Sequence, residues 1–161
     1  MLAGVSHGPI ALIPDHCTDT AAPVTVAVDG SPASVDTAVF AARDVALSGR
    51  ELRMIYAWPI PPSWEDILPD SASLRKLKQT NQLILDRCRE AVQAAVPCAR
   101  ISGELVRGPV VRSLLHVAAC SSLFFIGSRQ QHGLRRLLNG SVSHAVLLDL
   151  ASPTIVVMAR T

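Results

Sequence analysis

Leu123-Phe124-Phe125-Ile126-Gly127-Ser128-Arg129, followed after a basic loop by Asn139-Gly140-Ser141-Val142-Ser143, is the stretch that decides the fold. An apolar run stops at a glycine. A loop bearing Arg129, His132, Arg135 and Arg136 follows, and Gly140-Ser141 then opens a second apolar-periodic segment. Strand, glycine, basic loop, Gly-Ser and helix, in that order, is how an α/β protein builds an anion pocket. Glycines let backbone N–H groups approach a phosphate, and a helix N-terminus adds roughly half a positive charge. An ordinary strand-to-helix connection with a solvated basic loop fits the same residues, so both readings stand at this point.

The rest of the chain repeats the alternation. Val24-Thr25-Val26-Ala27-Val28 is a β-branched run that ends in the turn pair Asp29-Gly30. Ser31 serves as N-cap and Pro32 as first helical residue, and Val35, Ala38, Val39, Ala42, Val45 and Ala46 recur at helical spacing up to a stop at Gly49. Leu52 to Ala57 reads as a second strand, and Pro59, Pro61, Pro62 and Pro69 make 58–71 a loop. Leu74, Leu77, Ile84, Leu85, Cys88, Val92 and Ala95 mark a long amphipathic helix broken by Pro97. Ile101 to Val106 is a third strand, and Gly108-Pro109 starts a helix through Ala118. Leu123 to Ile126 is a fourth strand, Ser141 to Leu148 a last helix, and Thr154 to Met158 a fifth strand. Such alternation implies βαβ units and right-handed crossovers. The expected fold is a single doubly wound α/β domain, with a five-stranded, mainly parallel sheet and helices on both faces. Ligands of such sheets lie beyond the carboxyl ends of the strands, where strand order reverses, and Asp29, Ala57 and Gly127 all fall at such ends.

Composition agrees. The chain has 161 residues, 49% of them hydrophobic and only 17% charged, which suits one domain with doubly covered strands and Ala-rich helices. A net charge of +2 and 4% aromatic residues give neither a basic stripe nor a stacking platform, so nucleic acid is not an expected partner. No apolar run reaches membrane-spanning length, and the first fifteen residues lack the Lys or Arg of a secretory leader. Cys17, Cys88, Cys98 and Cys120 form no C-x-x-C pair and read as reduced thiols. The expected compartment is the cytoplasm.

Residues 1–20 read as an N-terminal arm to a domain spanning 21–161. Pro9-Ile10-Ala11-Leu12-Ile13-Pro14 resembles the closing Pro153-Thr154-Ile155-Val156-Val157, and Val5-Ser6-His7 echoes Val142-Ser143-His144. A remnant of a preceding similar half and a chance match of short apolar segments both account for this. In either case an apolar run bracketed by prolines is a short-strand pattern that should be covered, on a sheet edge of this subunit or of a partner.

With the strands in place, the chain resembles the universal stress protein family. The resemblance covers Pro23 to Val157 and rests on VTVAVDGSPAS (24–34), MIYAW (54–58), LVRGPVVRSLL (105–115) and IGSRQQHGLRRLLNGSVSHAVLLDLASPTIVV (126–157). It implies a homodimer paired through the last strand and binding of ATP or another adenine nucleotide. The family's phosphate signature is Gly, two residues, Gly, nine residues, Gly, then Ser or Thr. Gly127, Gly140 and Ser141 match that spacing; Gln130 stands at the second glycine, and Gly133 is three positions late. If that position requires a positive φ, a side chain there costs roughly 1–2 kcal/mol.

Each candidate residue has a functional and a plain role. Asp29 fits a contact to ribose or adenine, or to Mg²⁺ through water, and equally an Asx turn before the first helix. Gly127 lets backbone pass close to ribose or phosphate, or is a strand-end turn, with Ser128 and Arg129 beside it. Gly140 and Ser141, with Val142 and Ser143, offer N–H groups and hydroxyls to phosphate, while Ser141 also serves as an N-cap. Arg129 and Arg136 neutralise phosphate charge or are solvated. Val28 and Ala57 pack on adenine or in the core.

His116 and Cys120 stand four apart but have no further ligands in the pattern, so no metal site is expected. Ser141, His144 and Asp149 have the residue types of a hydrolytic triad. They lack the G-x-S-x-G elbow, and helical spacing does not aim Asp149 at His144. The S-G-G-x-D-S loop of ATP-dependent carboxylate-activating enzymes is also missing after the first strand. The expected function is therefore a non-catalytic, adenine-nucleotide-binding dimer in signalling or protection. Its alternative is a homologue that has lost the nucleotide and works through protein contacts.

Overall fold

The structure is a computed structural model that describes residues 8–15, 19–60, 71–128 and 152–158. Its elements run β1 (Ile10–Leu12), β2 (Val24–Ala27), α1 (Pro32–Ser48), β3 (Glu51–Trp58), α2 (Ala72–Ala95), β4 (Arg100–Arg107), α3 (Val110–Ala119), β5 (Leu123–Ser128) and β6 (Thr154–Met158). The helix expected over Ser141 to Leu148 lies outside the described residues, as does most of the proline-rich loop.

The strands form one six-stranded sheet in the order β1-β6-β5-β2-β3-β4. All neighbours are parallel except β1 and β6, which are antiparallel. Five strands are those read from the sequence. The sixth is β1, the apolar segment of the arm, and it is the present chain's own β6 that it covers. Backbone groups on the outer side of β6 from Thr154 to Val156 therefore already have a partner within the chain.

Alternation along the strands divides the core into two layers. Val26, Met54 and Phe125 face a layer with Ala38, Ala41, Ala42 and Val45 of α1 and Leu85, Cys88 and Val92 of α2. Ala27, Ile55, Phe124, Ile126 and Val156 face the other side, against Leu114, Val117 and Ala118 of α3. Central β2 is buried along its whole length, as a parallel strand covered on both faces must be.

Local signals set the ends of the helices. Ser31 caps α1 by accepting from the Ser34 N–H at 3.2 Å, Pro32 starts it, and Gly49 ends it in the left-handed conformation at φ 68°. Ser71 caps α2 in the same way. At the sheet's amino end, the Arg50 guanidinium donates to the Ala22 carbonyl at 2.6 Å and to Ser122 Oγ at 2.7 Å, tying the loop that precedes β2 to the start of β5.

Strands run past their readings: β3 takes in Trp58, read as loop, and β5 takes in Gly127 and Ser128. Gly127 is not a strand-end turn, because β5 continues through Ser128 and Gly127 pairs with Val157. A Cβ built there would lie 2.7 Å from Thr37 Oγ1 and 3.4 Å from the Ala33 carbonyl oxygen. The missing side chain lets the first turns of α1 lie directly on β5. Gly127→Ala is expected to destabilise the fold by about 1–3 kcal/mol through overpacking. Adding Thr37→Ala should recover most of that loss, as read by chemical denaturation of both variants.

Candidate functional site

Strand order reverses between β2 and β5, since the chain leaves β2 toward β3 on one side and later returns through β5 on the other. The carboxyl ends of these two strands therefore form the crevice in which a doubly wound sheet holds ligands. The register pairs Val26 with Phe125, so Val28-Asp29 just beyond β2 and Gly127-Ser128 at the end of β5 emerge side by side.

Asp29 is exposed and forms an Asx turn: its Oδ1 accepts from the Ser31 N–H at 2.9 Å and from the Ser31 hydroxyl at 2.5 Å. Its own N–H donates to Ser34 Oγ at 3.2 Å, and that hydroxyl donates to the Ser31 carbonyl at 2.8 Å. Gly30 holds φ at 82°, and a Cβ there would meet Ile84 at 2.7 Å, so this tight turn requires glycine both for its backbone and for its packing. The network fixes the carboxylate and the positive end of α1 at the mouth of the crevice. No acidic side chain in the first turn of α1 opposes an anion there.

Val28 is buried in the layer beneath α1 and α2, and half-buried Ala57 packs on the α3 side. Both contribute to the core. Ser128 is buried at the end of β5. Arg129, Gly140, Ser141, Val142 and Ser143 lie outside the described residues, as does Gln130.

Tyr56 and Cys88, which the sequence reading did not connect with Asp29, lie close enough to feel its charge. Burial, then the Asp29 carboxylate, then the nearby Cys88 raise the Tyr56 phenol above its ordinary range. Burial also raises the Cys88 thiol, the Gly30 amide directed at the sulfur opposes this, and Asp29 adds to the rise. Both groups stay protonated near neutral pH. A signal was available in the sequence: Tyr56 precedes Ala57 on the opposite face of its strand, and Cys88 shares the inner stripe of α2 with Leu85 and Val92.

Among the described residues no group of three or more His, Cys, Asp or Glu is placed to hold a metal, and no helix is long and apolar enough to cross a membrane. His116 and Cys120, at the end of α3, are exposed and away from the crevice.

A model of the universal stress protein family matches residues 21–158. The chain belongs to this family. A universal stress protein of Mycobacterium tuberculosis is 32% identical over 152 residues, covering 94% of this chain and 50% of that protein. The chain thus spans about half the length of the curated relatives it matches. Two solved structures share the fold. One is a universal stress protein in complex with cAMP, with 21% identity, TM-score 0.63, and coverage of 85% of this chain and 97% of that one. The other is the Archaeoglobus fulgidus universal stress protein in complex with dAMP, with 19% identity, TM-score 0.59, and coverage of 86% and 99%.

Two outcomes are expected of the groups behind Asp29. Tyr56 is the only tyrosine in the sequence, so its phenolate can be titrated alone by ultraviolet absorbance. Its midpoint in the folded protein should lie above the ordinary value of about 10. In that window the unfolded chain has lost the proton that the folded one keeps, so stability should fall as pH rises through it, less steeply in Tyr56→Phe. Under native conditions near pH 8, an alkylating reagent should modify exposed Cys98 and Cys120 and spare buried Cys88, as read by peptide mass spectrometry.

Proposed function

We propose that this chain is an adenine-nucleotide-binding module without catalytic activity, working in signalling or protection in the cytoplasm. The observation that carries this reading is the side-by-side emergence of Asp29 and Gly127-Ser128 at the strand-order reversal, next to the capped N-terminus of α1. The cAMP and dAMP complexes of fold neighbours support the ligand class. In this reading Asp29 orients the ribose or adenine edge, or Mg²⁺ through water. Arg129 neutralises phosphate charge, while Gly140 and Ser141, with Val142 and Ser143, present N–H groups and hydroxyls to phosphate. The non-catalytic part draws on chemistry: Asp29 is tied into a turn, and Tyr56 and Cys88 are held protonated, so none of the three is ready to act as base or nucleophile.

Gln130 favours a second reading, in which the nucleotide has been lost and the module works through protein contacts. Each 1.4 kcal/mol of strain there would weaken affinity about tenfold. A homodimer through β6 belongs to either reading only if β1 first yields that edge.

Denaturing mass spectrometry of natively purified protein should release an adenine nucleotide. In calorimetry ATP should bind with modest affinity, and Gln130→Gly should tighten it. Absence of binding heat for both proteins would reject the first reading in favour of the second.

A further inference from the structure

The hydroxyl of Ser34 has a role that the cap of α1 does not require. In a reciprocal helix cap, the capping hydroxyl accepts from the third helical N–H, and the third side chain reaches back to the capping residue's own N–H. The forward half is present here, from the Ser34 N–H to Ser31 Oγ at 3.2 Å. The backward half is filled by another group, since the Ser31 N–H donates to Asp29 Oδ1 at 2.9 Å. Ser34 Oγ instead reaches past the cap and accepts from the Asp29 N–H at 3.2 Å. Its own proton goes to the Ser31 carbonyl at 2.8 Å, an oxygen that already accepts from the Ser34 and Val35 N–H groups at 3.1 Å each. That donation is surplus to the helix. Its effect is to hold the Ser34 rotamer with a lone pair aimed at Asp29.

The amide so held is the one that would carry the β2–β5 ladder onward. The Val28 N–H donates to the Ile55 carbonyl of β3 at 2.9 Å. Successive amides of a strand face opposite neighbours, so the Asp29 N–H is turned toward β5. Yet β2 and β5 pair only as far as Val26 with Phe125, while β5 goes on pairing with β6 through Ser128 and Met158. It is β2 that leaves the sheet, and its first amide beyond the parting on that side finds Ser34 in place of β5. Ser34 is 7% exposed, so bulk water is poorly placed to stand in for its hydroxyl.

We propose that Ser34 is a positioning residue for the crevice: its hydroxyl replaces β5 as the partner of the Asp29 amide. The two strands can then part without leaving a donor unpaired, and the Asp29 carboxylate is set in one direction by a side chain that touches no ligand. The effect on affinity rests on the adenine-nucleotide reading, whereas the hold on Asp29 belongs to the free protein.

Amide exchange in the free protein, read residue by residue by NMR, and calorimetry with ATP test this in the full chain. Ser34→Ala deletes the acceptor and leaves the Ser31 cap. Ser34→Cys keeps a similar shape with a weak acceptor, and Ser34→Thr keeps the hydroxyl. Relative to the Val26 amide, the Asp29 amide should exchange about tenfold faster in Ser34→Ala and Ser34→Cys, and at the wild-type rate in Ser34→Thr. ATP affinity should fall about tenfold in the first two and be retained in Ser34→Thr. Unchanged Asp29 exchange in Ser34→Ala and Ser34→Cys would overturn the proposal, as would equal losses of affinity in Ser34→Ala and Ser34→Thr. Loss of folding in both Ser34→Ala and Ser34→Cys would also overturn it, since the helix itself would then need the hydroxyl. Faster Asp29 exchange with no ATP binding in any version, wild type included, would support the hold on Asp29 and reject the nucleotide instead.

Discussion

The close seating of α1 on the sheet is the constraint on which the rest depends. Ala38, Ala41 and Ala42 are all fully buried and short, and Gly127 has no side chain where Thr37 and the Ala33 carbonyl approach β5. A helix presenting larger residues would stand further off. Its N-terminus would then miss the crevice between β2 and β5, and Phe125 and Leu85 would no longer close the layer behind it. Packing density in the core and placement of the helix dipole at the site are thus one geometric requirement, met by four small residues.

That seating sets what the short turn before α1 must do. Asp29, Gly30 and Ser31 must reverse the chain from β2 into α1 within a few residues, and the Asx turn and N-cap satisfy the backbone groups this leaves unpaired. The same hydrogen bonds hold a carboxylate at the strand-order reversal without a separate scaffold. Behind the turn, Ile84 and Cys88 of α2 and Tyr56 of β3 make a low-dielectric wall, which keeps the thiol and phenol neutral.

The two ends of the sheet are managed differently. On β4, Arg53 and Glu104 form an ion pair at 2.6 Å across β3 and β4, and Arg100 donates to the Gly49 carbonyl, so charge marks that edge. On the opposite side β6 is apolar in both faces and is closed by backbone pairing with β1 instead. Charge discourages strand addition, whereas an apolar edge requires a covering strand, and the chain carries one in its own arm.

Fold class and element order were legible in the sequence because each element obeys a local rule: period-two or continuous apolar runs for strands, spaced Ala and Val for α1, Ser31, Pro32 and Gly49 for its ends. Asp29 was legible as the turn residue after a strand for the same reason, whereas Gly127 read as a strand end and lies inside β5. Local rules do not contain distances between elements. That Gly127 serves the approach of Thr37, that β5 runs on through Ser128, that Tyr56 and Cys88 stand behind Asp29, and that Ile10–Leu12 lies on β6 are all contacts between residues far apart in the chain. Those were decided by packing, since only the assembled layers determine which side chain has room and which edge has already found its partner.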